Sequence, residues 1–219
     1  MLKITYNSDP TSHSTQKRIQ TYIAEQRYMS GGQFRVVDCG GWLHGWTEGY
    51  RDLLVDINAD PSRADHVQGD LNQDATWERI LEITRKQGRF DYAVCTHTLE
   101  DLANPEAALR YLPRIARAGV ITMPSVYHEL GYNESTNYPG AIHHRWVFDQ
   151  TEDGRMLIVP KLPALTYLIP KNWTDDAGRI EIEYQWSNEI EYTQFMGGFL
   201  GPTISDVINS YTEFVKGRL

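Results

Sequence analysis

Three acids and two glycines stand at places where an α/β chain does chemistry. Asp38 is followed by Cys39 and the pair Gly40 and Gly41, and Asp56 and Asp70 come later. Each closes or follows a short apolar run, at 34–38, 53–58 and 66–70. An adenosine-containing cofactor asks for this set. A glycine turn after the first strand lets the backbone approach it. An acid at the end of the second strand accepts from two ribose hydroxyls, and a polar residue after the third reads the adenine amine. In an open parallel sheet these points share one crevice at the carboxyl ends of the strands. Leu71, beside Asp70, and Thr96, after a fourth apolar run, belong to the same expected cofactor wall.

The second group of reactive side chains is histidine-rich. His97 follows the fourth run, and His128, Glu129, His143 and His144 come further on. A neutral imidazole is the natural base for an acceptor hydroxyl at neutral pH. His97, His143 and His144 are therefore the candidate catalytic residues. Neighbours on a strand point to opposite faces, so only one of the adjacent pair should face inward. The spacing matches no established metal motif, and no metal is expected. Trp42 and Trp46 lie in the glycine-rich loop.

Five apolar runs must position these residues. They lie at 34–38, 53–58, 66–70, 90–95 and 119–123. A helical pattern covers 14–29, with apolar residues at Ile19, Tyr22, Ile23 and Met29 and with Gly31 and Gly32 as its stop. A second runs from Asp74, as cap, to about Lys86, with Gly88 beyond its end. Asn104 and Pro105 open a third, which Pro113 should kink or restart. Strands alternating with helices predict a parallel sheet with crossovers. Only a short segment separates Gly41 from Leu53, so the first crossover helix should be short or missing. After Trp146 the pattern changes. Residues 145–150 and 155–160 flank Thr-Glu-Asp-Gly and read as an antiparallel hairpin that extends the sheet. Residues 180–186 alternate as a half-exposed strand, and 204–215 predict a last helix. The segment 125–142, rich in Tyr, Asn, Glu and Gly, would make a lid or substrate loop.

Composition narrows the partners. The chain has 219 residues, a net charge of −8, 41% hydrophobic and 23% charged residues. That suits one domain over 1–219, with a core at 34–148 and the hairpin and helix at 149–219. An acidic chain without a basic run is a poor partner for nucleic acid. Cys39 and Cys95 form no CxxC pair and read as reduced core residues. No apolar stretch is long enough for a membrane span and no signal-peptide pattern is present, so a cytoplasmic protein is expected.

These segments together resemble a known family. Residues 36–41 (Val-Val-Asp-Cys-Gly-Gly) resemble the first motif of class I S-adenosylmethionine (SAM)-dependent methyltransferases. Residues 54–58 resemble the second motif and 68–71 the third. Residues 90–105 are similar to the fourth-strand segment, with its His-x-Leu-Glu and Asn-Pro, and 117–125 to the segment ending in Pro-Ser. The resemblance implies a Rossmann-like α/β fold, mostly parallel, with helices on both faces and an antiparallel C-terminal hairpin. It implies SAM as cofactor, held by Asp38, Gly40, Gly41, Asp56, Asp70, Leu71 and Thr96, and methyl transfer to a small-molecule or glycan acceptor. Trp42 and His44 stand where the family's second and third glycines would be. They motivate an alternative, a catalytically silent relative that binds a ligand or partner. A nicotinamide enzyme would need Gly-x-Gly-x-x-Gly after the first strand, which residues 40–45 do not supply.

Overall fold

The computed structural model describes residues 3–195 and 204–219. Strand β1 (Lys3–Asn7) opens the chain. Helix α1 (His13–Met29) buries Thr15, Ile19 and Ile23. Strands β2 (Val36–Cys39), β3 (Leu53–Asp56) and β4 (His66–Gln68) follow. No helix joins β2 to β3, as the short connection requires. Helix α2 (Asp74–Gln87) buries Trp77, Ile80, Leu81 and Thr84. It stops at Gly88, whose φ of 81° is left-handed and costs glycine nothing. Its cap position is Gln73; Asp74, expected there, lies in the first turn and pairs with Arg110 at 3.2 Å.

Strand β5 (Phe90–Thr96) leads to helix α3 (Pro105–Ile115), with Pro105 in the first turn. Pro113 does not restart α3, which runs unbroken through it. It falls in the last turn, and the chain passes at once into β6 (Ala116–Pro124). Helix α4 (Val126–Leu130) is capped by the Ser125 hydroxyl, which accepts from the His128 N–H. Strands β7 (Trp146–Gln150) and β8 (Met156–Pro160) form the expected hairpin. Helix α5 (Leu165–Leu168), β9 (Glu181–Ser187), β10 (Tyr192–Gln194) and α6 (Ile204–Lys216) complete the order.

Seven strands make the main sheet in the order β1-β9-β6-β5-β2-β3-β4. The pairs from β6 through β4 are parallel, and β9 runs antiparallel between β6 and β1. Helix α1 covers one face, against Val36, Tyr92, Val94 and Val120. Helices α2 and α3 cover the other, against Val37, Val55, Ala93 and Ile121. This is the Rossmann-like, mostly parallel α/β architecture.

Two expectations need correction here. The hairpin β7–β8 does not extend the main sheet. It builds a second sheet with β10, in the order β10-β8-β7, and β9 and β1 extend the main one instead. Strand β9 is not half-exposed, because Ile182, Tyr184 and Trp186 join the main core on one face and Glu181 and Glu183 on the other are also buried. The hairpin sits between two apolar clusters. Phe148, Met156 and Ile158 join the main core, while Val147 and Val159 pack with α4, α5 and α6. Among the described residues, no helix is long and apolar enough to cross a membrane.

Candidate functional site

Strand order reverses at β2, which has β5 on one side and β3 on the other. Outside the carboxyl ends of strands at such a point the connecting segments part and leave a crevice. Two adjoining hollows occupy it. One, of about 300 Å³, is lined by Gly40, Asp56, Gly69, Asp70, Leu71, His97 and Asp101, among others. The second, of about 260 Å³, includes Gln16, Asp38, Gly41, Trp46 and Thr96. Gly40, Trp42 and His97 border both. The expected cofactor residues Asp38, Gly40, Gly41, Asp56, Asp70, Leu71 and Thr96 therefore all reach this crevice.

Its acids are oriented before any ligand arrives. Oδ1 of Asp56 accepts the Asn58 N–H at 2.7 Å. Oδ1 of Asp70 accepts from the Asn72 N–H and Nδ2, both at 2.8 Å. Each carboxylate keeps its second oxygen for a further donor. Asn72 in turn accepts from the Ala103 and Asn104 N–H groups, which ties the end of β4 to the entry of α3.

The glycine turn has a different basis for each of its residues. Gly40 has φ 86°, and a Cβ on it would strike the Thr98 side chain. A Cβ on Gly41 would strike the carboxylate of Asp38. Asp38 itself is buried, accepts from the Thr47 hydroxyl and lies 3.5 Å from Arg51. Burial raises its pKa to about 6, against the pull of Thr47 and Arg51. Arg51 also donates to the carbonyls of Trp42 and Leu43. Asp38 thus anchors the loop 42–51 through groups of its own chain. Trp42 is 83% exposed at the border of the two hollows and fills neither. His44 is exposed beside Glu48 and lines neither.

His97 follows β5 in the left-handed region, at φ 48°, strain that a non-glycine residue bears only when its surroundings fix it. Its N–H donates to Thr122 O at 2.7 Å. Its Nε2 is 2.8 Å from Glu181 and 3.3 Å from Ser12 Oγ, and its Nδ1 is 3.5 Å from Glu100. Burial lowers the pKa of His97, but the two carboxylates outweigh it and hold the imidazole at about 10. Glu181 is buried, yet bonds from His97, Thr15 and Ser12 keep its pKa below the ordinary value. Sequence reasoning missed Glu181. A glutamate in an alternating strand reads as a solvent-facing residue, and its partners Ser12 and Thr15 are remote in the chain.

The adjacent histidines lie in the turn before β7, not on a strand, so the expected strand alternation does not govern them. His143 is exposed and His144 is mostly buried, with their rings 4.4 Å apart. His144 Nδ1 lies 2.7 Å from Glu129. Glu129 also accepts from Lys161, whose ammonium is fully buried and donates to Ala141 O at 2.7 Å. Burial lowers the pKa of His144, but Glu129 more than offsets this and leaves it raised. His128 stands apart, bonded to Asn133. Neither His143 nor His144 lines the crevice, but His143 lies 3.9 Å from Asp101, which does. The segment 125–142 lines neither hollow. It packs through Val126, Leu130 and Tyr132 against the cluster under the second sheet.

No family model matches the sequence, and no curated protein matches it. Among solved structures, one similar chain is the 1,6-didemethyltoxoflavin-N1-methyltransferase of Burkholderia thailandensis, with 1,6-didemethyltoxoflavin and S-adenosylhomocysteine bound. It is 13% identical, with 84% of this chain and 92% of that one covered and a TM-score of 0.36. A SAM-dependent methyltransferase of Clostridium acetobutylicum is also 13% identical, with coverages of 79% and 92% and a TM-score of 0.36. The MycE methyltransferase of the mycinamycin pathway, in complex with Mg and S-adenosylhomocysteine, is 13% identical, with coverages of 92% and 55% and a TM-score of 0.35. Likenesses this low carry no argument. The fold rests on the strand order and the crevice on its own residues.

Proposed function

We propose that this chain is a SAM-dependent methyltransferase acting on a small-molecule acceptor. One observation carries the reading. At the point where strand order reverses, the positive-φ Gly40 and the pre-oriented Asp56 and Asp70 line one crevice, each from the end of a different parallel strand. That set fits an adenosine-bearing cofactor. Asp56 Oδ2 would accept from the ribose hydroxyls and Asp70 would read the adenine amine, with Leu71 as the apolar wall. Thr96, Gln16 and Gly41 line the second hollow, where the methionine end would lie. Trp42 and His44 fill neither hollow, which favours an open cofactor site over a silent relative.

When bound, SAM supplies a methyl group on a sulfonium, and its transfer is an in-line displacement. The chain's task is then alignment and exclusion of water. His97, held as an imidazolium by two carboxylates, has no lone pair with which to take a proton. We assign it a positioning role, in which its bond to Glu181 holds the chain after β5 against β9 and its contact with Glu100 braces that segment.

Calorimetric titration tests the reading. SAM should bind with one site per chain and NAD should not bind. Asp56→Ala should weaken SAM by about 1.5–3 kcal/mol, the range for a bond to a charged group. A folded Asp56→Ala chain with unchanged SAM affinity would reject the ribose assignment.

A further inference from the structure

Beside the crevice, three side chains from two separate places in the sequence converge. The donor atoms of Asp101, His143 and His144 all lie within 4.8 Å of one another. Asp101 follows β5, and the histidines precede β7. Sequence spacing alone does not reveal this set, because the carboxylate is far from the pair.

We propose that Asp101, His143 and His144 form a binding site for a divalent transition ion of the Zn²⁺ type. Two imidazoles and one carboxylate suit borderline ions of this kind, whereas Mg²⁺ and Ca²⁺ prefer all-oxygen sets. Three protein ligands leave a coordination position open, as in catalytic rather than structural zinc sites. Ligands at about 2.1 Å from a tetrahedral ion sit about 3.4 Å apart. Asp101 and His143 are exposed, so their side chains have room to adjust toward that spacing.

A second feature points the same way. His144 is oriented by a buried carboxylate, since Glu129 takes its Nδ1, so an ion would bind at Nε2 in place of a proton. Metal-ligating histidines regularly carry such a carboxylate on the ring nitrogen away from the ion. Glu129 is 1% exposed and is itself fixed by Lys161, which is 0% exposed. Gly140 makes room for this pair, because a Cβ there would strike the Glu129 carboxylate. Burying a glutamate and a lysine is costly and rarely improves on a packed apolar core. Holding one imidazole in one orientation at the crevice rim accounts for that expense.

The ion would stand on the crevice wall, because Asp101 is shared. Its consequence for chemistry rests on the methyltransferase reading: the open position would orient an oxygen-bearing acceptor toward the cofactor hollow.

The test uses the full chain, freed of metal with EDTA and titrated with Co²⁺ and Zn²⁺. Co²⁺ should give visible absorption that saturates at one equivalent per chain and is displaced by Zn²⁺. Asp101→Asn and His143→Ala, both at exposed positions, should each weaken Zn²⁺ by about tenfold or more. His13→Ala, in an exposed histidine elsewhere, should change nothing. Glu129→Gln should also weaken Zn²⁺, but it disturbs a buried pair, so the two exposed positions decide the matter. No saturable uptake by the wild type, or equal uptake by an Asp101→Asn/His143→Ala chain, would overturn the proposal. SAM titration of the metal-free wild type reads the cofactor site separately: SAM binding without metal uptake would reject the metal site alone.

Discussion

Gly41 must be glycine because of a neighbouring carboxylate. An added Cβ meets the Asp38 side chain, which Thr47 and Arg51 hold in place inside the fold. Gly41→Ala should therefore lower stability by about 1–3 kcal/mol, the usual cost of forcing atoms into a packed site. Chemical denaturation checks this, and an unchanged midpoint would mean that Asp38 can swing aside. Gly40 differs, since its φ of 86° adds backbone strain to a clash with Thr98. Asp56, Asp70 and the glycine pair were legible in the sequence because each ends an apolar run, and strand ends are where an open parallel sheet exposes side chains. The partners that set His97's charge were not legible. Glu181 lies on a distant strand, and although Glu100 is only three residues on, burial of a glutamate shows only in three dimensions.

At the level of elements, α4 and the hairpin β7–β8 are joined by one buried ion pair. Glu129 comes from α4, and Lys161 follows β8. Glu129→Leu leaves the Lys161 ammonium buried without a counter-charge, beside the Ala141 carbonyl and the Tyr138 ring. Breaking a buried pair in this way costs about 3–5 kcal/mol. A denaturation midpoint within error of wild type would show that Lys161 finds water or another partner. The parallel strands were legible as short, continuous apolar runs, and α1 to α3 by helical spacing with glycine or proline marking an end. Strand β1 was missed: it is five residues of an edge strand with polar residues on alternate positions. The placing of the hairpin was also missed. The residues 145–160 encode a hairpin, but which sheet it joins depends on Phe148, Met156 and Ile158 packing into the main core from a separate layer.

For the whole molecule, His97 and Glu181 tie β5 to β9 and make stability depend on pH. The folded pKa of His97 is raised from 6.5 to about 10. Its contribution is thus complete below the unfolded value and is lost as pH rises through about 10. Glu181 has a lowered pKa, so its share is present above the ordinary 4.5 and fades in acid. Denaturation of wild type and His97→Gln across this range should show a wild-type advantage near pH 6.5 that shrinks toward pH 10. A difference that is flat with pH would mean that His97 is neutral in the folded chain. His97 is partly exposed, and solvent screening keeps the effect modest.

The central claim is that the crevice at the reversal of strand order holds an adenosine-bearing methyl donor, and a crystal structure with S-adenosylhomocysteine tests it most directly. The ribose hydroxyls should lie within hydrogen-bond distance of Asp56, the adenine beside Asp70 and Leu71, and the sulfur near Gly40 and His97. A ligand bound elsewhere, with Asp56 and Asp70 facing only water, would contradict the account.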